Sequence, residues 1–189
     1  MFDFRQPLPI VNCPLPIDLF SAFLLYDMAK AKKKNAAKTK PVILITNDDG
    51  ITAPGIHNLV EAVKDLGKIV VVAPDKPQSG MGHAITIGQP LRLSAVSTFF
   101  DGVEAYQCSG TPVDCVKLAV DKVLHRKPDL CLSGINHGAN HSINVIYSGT
   151  MSAAVEAAIE SIPSIGFSLL DYSIDAGALT AAGLTPDTV

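Results

Sequence analysis

The chain has 189 residues, of which 48% are apolar and 17% are charged, and its formal charge at pH 7 is −3. This composition excludes an intrinsically disordered chain, and the length suggests one domain. The small acidic charge argues against a general nucleic-acid binder, which would present a basic face, but it is compatible with a small acidic substrate.

The first forty residues differ from the rest of the chain. They are interrupted by prolines, and their apolar stretch "LFSAFLLY" is too short to span a bilayer. Asp18 lies just before that stretch and no cationic segment precedes it, which argues against a signal peptide. The lysine-rich run from Met28, "MAKAKKKNAAKTK", is typical of a solvated leader, with a membrane or nucleic-acid contact as the alternative. We therefore expect residues 1–40 to be a disordered extension and Met28 to be the true start.

The residues after Val42 show a regular pattern. The apolar runs "VILIT" and "KIVVVA" are typical of strands that are buried on both faces. Between them, apolar residues recur at helical spacing from Ile56 to Leu66, and Gly67 follows as a stop signal. This order predicts a βαβ unit with two parallel strands and a right-handed crossover.

The alternation of strands and helices continues further along the chain. Strands are predicted at "EAYQC", "DLCLS" and "SIGFSL", and helices at "PVDCVKLAVDKVL" and "MSAAVEAAIES". The stretch from residue 83 to 108 interrupts the alternation and predicts one or two extra strands with a hairpin. The pattern predicts an α/β fold with an open, mostly parallel sheet covered by helices on both faces. We expect the domain to span residues 41–175, with a short tail at 176–189.

The four cysteines form no CxxC pair and show no zinc spacing. Cys115 and Cys131 lie inside apolar patterns, where a thiol usually behaves as a small hydrophobic group. Buried, reduced cysteines are typical of a protein in a reducing cytosol, so we expect a cytoplasmic location.

Polar loops follow four of the predicted strands. They read "NDDG", "PDKPQSGMGH", "SGTP" and "SGINHGANHS". Ligands of open α/β sheets bind outside the carboxyl ends of the strands. The four loops therefore predict a site at one edge of the sheet.

Two adjacent aspartates, Asp48 and Asp49, end the first of these strands. Partly desolvated carboxylates a few ångströms apart repel by several kcal/mol at an effective dielectric constant of about 20, so either one is protonated or a cation lies between them. Ser79 and Asn136 offer further oxygen ligands from facing loops, and this donor set favours magnesium or manganese over zinc. The alternative is that the two aspartates form a turn or a helix cap.

The stretch "SGTPVDC" predicts the start of a helix. Thr111 is the expected N-cap, Pro112 suits the first turn, and Asp114 completes a capping box. Ser109 and Gly110 could in addition present backbone amides to an anion, with a merely well-capped helix as the alternative.

A second helix entrance is predicted at Ser148, Gly149 and Thr150, where small residues would let a phosphate approach the backbone closely. The alternative is a simple N-cap after a long loop. That loop carries His137 and His141, which could bind substrate or donate a proton.

These motifs resemble those of the survival protein E (SurE) family of metal-dependent nucleotidases. The matching stretches, in family order from Val42 to Tyr172, are "ILITNDDGITAPGI", "VVAPDKPQSGMGHAIT", "CSGTPVDCVKLA", "PDLCLSGINHGAN" and "VIYSGTMSAAVEA". The resemblance implies a Rossmann-like fold and hydrolysis of nucleoside monophosphates at the 5′ or 3′ phosphate. It also implies one Mg²⁺ or Mn²⁺ ion per subunit and a homodimer or homotetramer, with no nucleic-acid or membrane partner.

The resemblance also implies roles for individual residues. The implied metal ligands are Asp48, Asp49, Ser79 and Asn136, and the two aspartates are the implied catalytic residues. The implied phosphate contacts are Asn140, Ser148, Gly149 and Thr150. Family members usually continue well beyond "SIGFSLLDY", so we expect the C-terminal part to be truncated.

Two other interpretations stay open. The first is an aspartyl-phosphate phosphatase, although that chemistry usually needs a D-x-D spacing and a cooperating lysine. The second is a nucleotide-binding protein with little or no turnover because a C-terminal arm is missing.

Overall fold

A computed structural model of the chain describes residues 23–25, 40–97 and 100–170. Within these ranges, seven strands form one sheet. The strands are β1 (Phe23–Leu25), β2 (Val42–Thr46), β3 (Lys68–Pro74), β4 (Leu93–Ala95), β5 (Glu104–Cys108), β6 (Leu130–His137) and β7 (Ser164–Leu169), and the helices are α1 (Pro54–Val63), α2 (Pro112–Leu118) and α3 (Gly149–Ile159). A π-helical turn, Ala119–Leu124, extends α2, and a 3₁₀ turn, Ser142–Ile146, precedes α3.

The strand order across the sheet is β1-β7-β6-β2-β3-β5-β4. The strands from β7 to β5 run parallel, whereas β1 and β4 pair antiparallel at the two edges. The predicted α/β fold with a mostly parallel sheet is therefore confirmed. Because parallel strands point the same way, β2, β3, β5 and β6 end at one edge of the sheet.

Both faces of the sheet are covered by helices, as the continuous apolar strands predict. Ile43 and Ile45 of β2 belong to one core cluster, which also contains Ile56 of α1. Leu44 belongs to a second cluster with residues of α2 and with Ala153 of α3. Successive strand residues point to opposite faces, so a strand between two helical layers needs apolar residues at every position.

Several elements differ from their predicted bounds. Helix α1 ends at Val63 rather than near Leu66, and the chain continues as a turn in which the N–H of Leu66 donates to the carbonyl of Val63 at 2.9 Å. One extra strand, β4, forms the predicted hairpin by pairing with β5. Strand β6 continues to His137, so Asn136 belongs to a strand end rather than to a loop. The sheet pairing resumes there after an irregularity between Ser133 and Asn136.

The N-terminal extension departs from the expected disorder at three residues. Phe23–Leu25 pair antiparallel with β7 and cover its outer edge. The rest of the extension, including Cys13 and Met28, lies outside the described residues, as does the tail at 176–189. In the described parts of the chain, the helices are too short or too polar to cross a membrane.

Candidate active site

The first aspartate lies against the start of α3. Asp48 is 3% exposed, and the hydroxyl of the fully buried Thr150 donates a hydrogen bond of 2.5 Å to its Oδ1. A Cβ atom added at Gly149 would lie 2.6 Å from the Cβ of Asp48, a distance that carbon atoms do not tolerate. Only glycine therefore fits at residue 149. The contact joins two predicted groups that are 102 residues apart in the chain.

The second aspartate lies against the end of β6. The main-chain N–H of His137 donates to Asp49 Oδ2 at 3.4 Å, and Asn47 closes the turn by donating to the carbonyl of Gly50 at 2.9 Å. Burial raises the pKa of Asp49, and the neighbouring charge of Asp48 adds to the rise. Both effects penalise the ionised carboxylate, and a bound cation would offset them.

Asn136 is oriented by its own loop. Its Nδ2 donates to the carbonyls of His137 (3.2 Å) and Gly138 (2.9 Å), and its exposed fraction is 9%. The two ends of a carboxamide point in different directions, so these bonds leave the oxygen as the ligand atom. β6 neighbours β2, with Ser133 opposite Thr46, so Asn136 and the aspartates share one edge of the sheet.

Ser79 lies on the segment that follows β3. The preceding residue, Gln78, donates its main-chain N–H to the carbonyl of Asp48 at 2.7 Å. The Ser79 side chain itself is exposed. The segment therefore contacts Asp48 through Gln78, the residue directly before the predicted ligand Ser79.

The residues at this edge fit a hard divalent ion. Two carboxylates, an amide oxygen and a hydroxyl form an oxygen-only donor set, which magnesium and manganese prefer. Within the described residues, no three histidine, cysteine, aspartate or glutamate side chains form a metal-binding group. Only two of the four predicted ligands, the aspartates, are residues of these types. The predicted site therefore differs from a zinc site built of histidine and cysteine.

The predicted phosphate contacts belong to the loop after β6 and to the start of α3. Asn140 is 9% exposed and donates from Nδ2 to the hydroxyl of Ser168 at 2.7 Å. Ser148 caps α3 by accepting a hydrogen bond from the main-chain N–H of Met151. The first amides of an α-helix have no acceptor within the helix, so those of Gly149 and Thr150 point out of its N-terminal end.

The amides at the entrance of α2 have acceptors within the chain, and an anion site at Ser109 and Gly110 stays a prediction. The N–H of Ser109 donates to the carbonyl of Arg92 at 3.0 Å, and that of Gly110 to the sulfur of Cys108 at 3.2 Å. The capping box between Thr111 and Asp114 is confirmed. All of these donors have partners within the chain.

The site loop carries two histidines, and one of them contacts the acidic pair. His137 and His141 are both exposed, and the contact of His137 with Asp49 is made by its main chain. Sequence reasoning missed a different histidine, His83, whose Nε2 lies 2.8 Å from Oε2 of the buried Glu156. A glutamate within the small-residue run "AAVEAA" was the available signal, because a charge on a packed helix face needs a partner.

Comparisons with known proteins identify similar chains. Residues 43–188 match the family model described as survival protein SurE. The chain is 69% identical over 141 residues to the 5′-nucleotidase SurE of Christiangramia forsetii, covering 74% of this chain and 54% of the relative. It is 66% identical over 138 residues to the 5′-nucleotidase SurE of Flavobacterium psychrophilum, covering 73% and 54%.

A solved structure shows the same fold. The crystal structure of the SurE protein from Aquifex aeolicus superposes with a TM-score of 0.61 at 48% identity, over 68% of this chain and 50% of that one. The chain spans about half the length of the curated relatives it matches. The chain belongs to the survival protein SurE family, as its spaced motifs, its fold and its matched residues all indicate.

Proposed function

We propose that the chain hydrolyses nucleoside monophosphates to nucleoside and phosphate as a metal-dependent 5′-nucleotidase. The observation that carries the proposal is the contact between Asp48 and Thr150 at the start of α3. It joins an acidic pair, suited to a cation, to a helix N-terminus, suited to a phosphate. The names of the relatives from C. forsetii and F. psychrophilum support the same activity.

Asp48, Asp49, Ser79 and Asn136 would hold one Mg²⁺ or Mn²⁺ ion. When bound, such an ion polarises a phosphoryl oxygen and makes water a stronger nucleophile at neutral pH. Thr150 keeps the Asp48 carboxylate in one orientation. Asp49 is the better placed of the two to accept the proton of the attacking water, because it is half-buried whereas Asp48 is fully buried and bonded to Thr150.

The phosphate would bind at the start of α3. The amides of Gly149 and Thr150, together with the amide of Asn140, would donate to the phosphoryl oxygens and stabilise the charge that develops on them. The missing side chain at residue 149 leaves room for Asp48 beside these amides.

The test is phosphate release from adenosine 5′-monophosphate with Mn²⁺ or Mg²⁺, with and without a chelator. We expect chelator-sensitive release, and a loss of about 100- to 1,000-fold in turnover for Asp48→Asn or Asp49→Asn. Asp101→Asn is the matched control, because it makes the same change at an exposed acid in a turn outside the predicted site. Near-normal turnover in both aspartate variants would contradict the metal assignment.

Two outcomes would favour the other interpretations. Nucleotide binding detected by calorimetry without any phosphate release, from folded protein, would point to a binding protein. Trapping of the chain by fluoroberyllate would point to an aspartyl-phosphate intermediate.

We also propose that the protein is a cytoplasmic homodimer or homotetramer with one metal ion per subunit. Three buried free cysteines, Cys108, Cys115 and Cys131, support a reducing compartment. Light scattering on the purified protein would give the mass of the assembly, and a monomer at all concentrations would contradict the oligomer.

A further inference from the structure

The segment of residues 75–92, here called the β3–β4 segment, carries Ser79 and contains no helix or strand. Its position therefore depends on contacts with the rest of the fold. Near its start, the main-chain N–H of Gln78 donates to the carbonyl of Asp48 at 2.7 Å. Further on, the N–H of Gly82 donates to the carbonyl of Tyr147 at 3.1 Å.

The far end of the segment is fixed to α2. The hydroxyl of Thr111 donates to the carbonyl of Ala84 at 2.7 Å. Thr86 donates to Asp114 from its hydroxyl at 2.6 Å and from its main-chain N–H at 3.1 Å. The capping box of α2 thus also serves as an anchor for the segment.

Between these two ends, His83 makes a side-chain contact with α3. Its Nε2 lies 2.8 Å from Oε2 of Glu156, which is 4% exposed. Because a carboxylate only accepts hydrogen bonds, this nitrogen must carry the proton. The other oxygen of Glu156 pairs with the ammonium group of Lys117. Burial opposes ionisation of Glu156, but the bonds from Lys117 and His83 outweigh it and lower the pKa of the carboxyl group.

Helix α3 connects this contact with the candidate metal site. Thr150, at its first turn, bonds to Asp48, and Glu156 follows about two turns later on the same rigid element. His83 is in turn separated from Ser79 by only three residues. The helix therefore fixes both the aspartate and the point at which the segment is attached.

We infer that His83 is a positioning residue, which holds the β3–β4 segment against Glu156 so that Ser79 faces the acidic pair. This inference rests on the proposed metal site and adds to it a residue that touches neither metal nor substrate. Partners of this kind orient the residues that bind a metal, and their loss typically weakens metal affinity about 10- to 100-fold.

The test is the Mn²⁺ affinity of the full chain, measured by calorimetry. We expect His83→Ala to weaken binding about tenfold or more. His83→Gln keeps an N–H donor for Glu156 and should restore most of the affinity. Lys117→Met is the matched control, because it removes the other partner of Glu156 without touching the segment. It should lower the melting temperature and leave Mn²⁺ affinity unchanged.

Two results would overturn the inference alone. One is Mn²⁺ binding by His83→Ala that equals that of the unaltered chain. The other is a loss of affinity in Lys117→Met as large as in His83→Ala, since this would show a general effect of destabilising α3. If the unaltered, folded chain bound no Mn²⁺, the proposed metal site would fail, and the role of His83 would fail with it.

Discussion

Asp49 is a residue whose charge opposes folding in the absence of metal. Burial and the charge of Asp48 raise its pKa, so the folded protein binds the Asp49 proton more tightly than the unfolded chain does. The stability of the metal-free protein therefore falls as the pH rises from the usual carboxyl range through the raised pKa.

Removal of the Asp49 charge should stabilise the metal-free protein and at the same time weaken metal binding. We expect Asp49→Asn to raise the melting temperature of the metal-free protein at pH 7 and to abolish the further rise that Mn²⁺ produces. Asp101→Asn is the control, because Asp101 is an exposed acid in a turn and should change neither quantity. Thermal melts with and without Mn²⁺ measure both effects, and a lower metal-free melting temperature for Asp49→Asn would contradict this account.

Individual residues of the site differ in how far sequence could predict them. The role of Asp48 and Asp49 was predictable, because two adjacent carboxylates after a buried strand repel each other unless one is protonated or a cation lies between them. The contact of Asp48 with Thr150 was not, because the two residues are 102 positions apart in the chain and meet only where the start of α3 lies against the turn after β2. The same limit applied to Ser109, because the sequence does not show that its amide donates to the carbonyl of Arg92.

At the scale of elements, the close approach of α3 to the turn after β2 depends on the absence of a side chain at Gly149. A Cβ there would lie 2.6 Å from the Cβ of Asp48, so Gly149→Ala must move the start of the helix away from that turn. We expect a loss of about 1–3 kcal/mol in the free energy of unfolding, because overpacking typically costs this much. Mn²⁺ affinity and turnover should fall as well.

The control for this variant is another glycine in close contact but away from the site. A Cβ added at Gly67 would lie 2.3 Å from the carbonyl oxygen of Pro41, at the start of β3. Gly67→Ala should therefore lower stability and leave Mn²⁺ affinity intact. Denaturant unfolding and calorimetry distinguish the two variants, and equal losses of affinity in both would contradict a specific role for Gly149.

The existence of the elements was predictable from periodicity, and their arrangement was predictable only in part. The unit β2-α1-β3 follows from two apolar runs around an amphipathic helix, because consecutive parallel strands need a crossover. The position of β6 beside β2 had no local signal, since the register of Ile43 with Leu130 is set by packing across the sheet. The length of β6 was underestimated because Asn136 and His137 are polar.

At the scale of the whole molecule, three buried thiols report on the integrity of the core. Cys108, Cys115 and Cys131 lie on β5, α2 and β6, and all three are fully buried. Burial raises the pKa of Cys131 to about 12 and that of Cys115 well above its ordinary value. A hydrogen bond from Cys115 lowers the pKa of Cys108, but burial still shields that sulfur from reagents.

These thiols should react only when the domain opens. In a Cys13→Ser variant, we expect slow reaction with an aromatic disulfide reagent at pH 8 and prompt reaction of all three thiols in denaturant. The reaction is followed by absorbance. Rapid labelling of one thiol in the native protein would show that the core opens locally around that cysteine.

The parts of the candidate site should differ in how often they open, because β2 lies in the centre of the sheet and the β3–β4 segment does not. Peptides from β2 should exchange their amide hydrogens for deuterium only when the whole domain unfolds, because β2 is bonded to β3 and β6 on both sides. The amide of Gly82 should exchange sooner, by local opening of the β3–β4 segment. Added Mn²⁺ should slow exchange in that segment far more than in β2. An ion and a product could then enter and leave past Ser79 while the strand that precedes the aspartates stays closed.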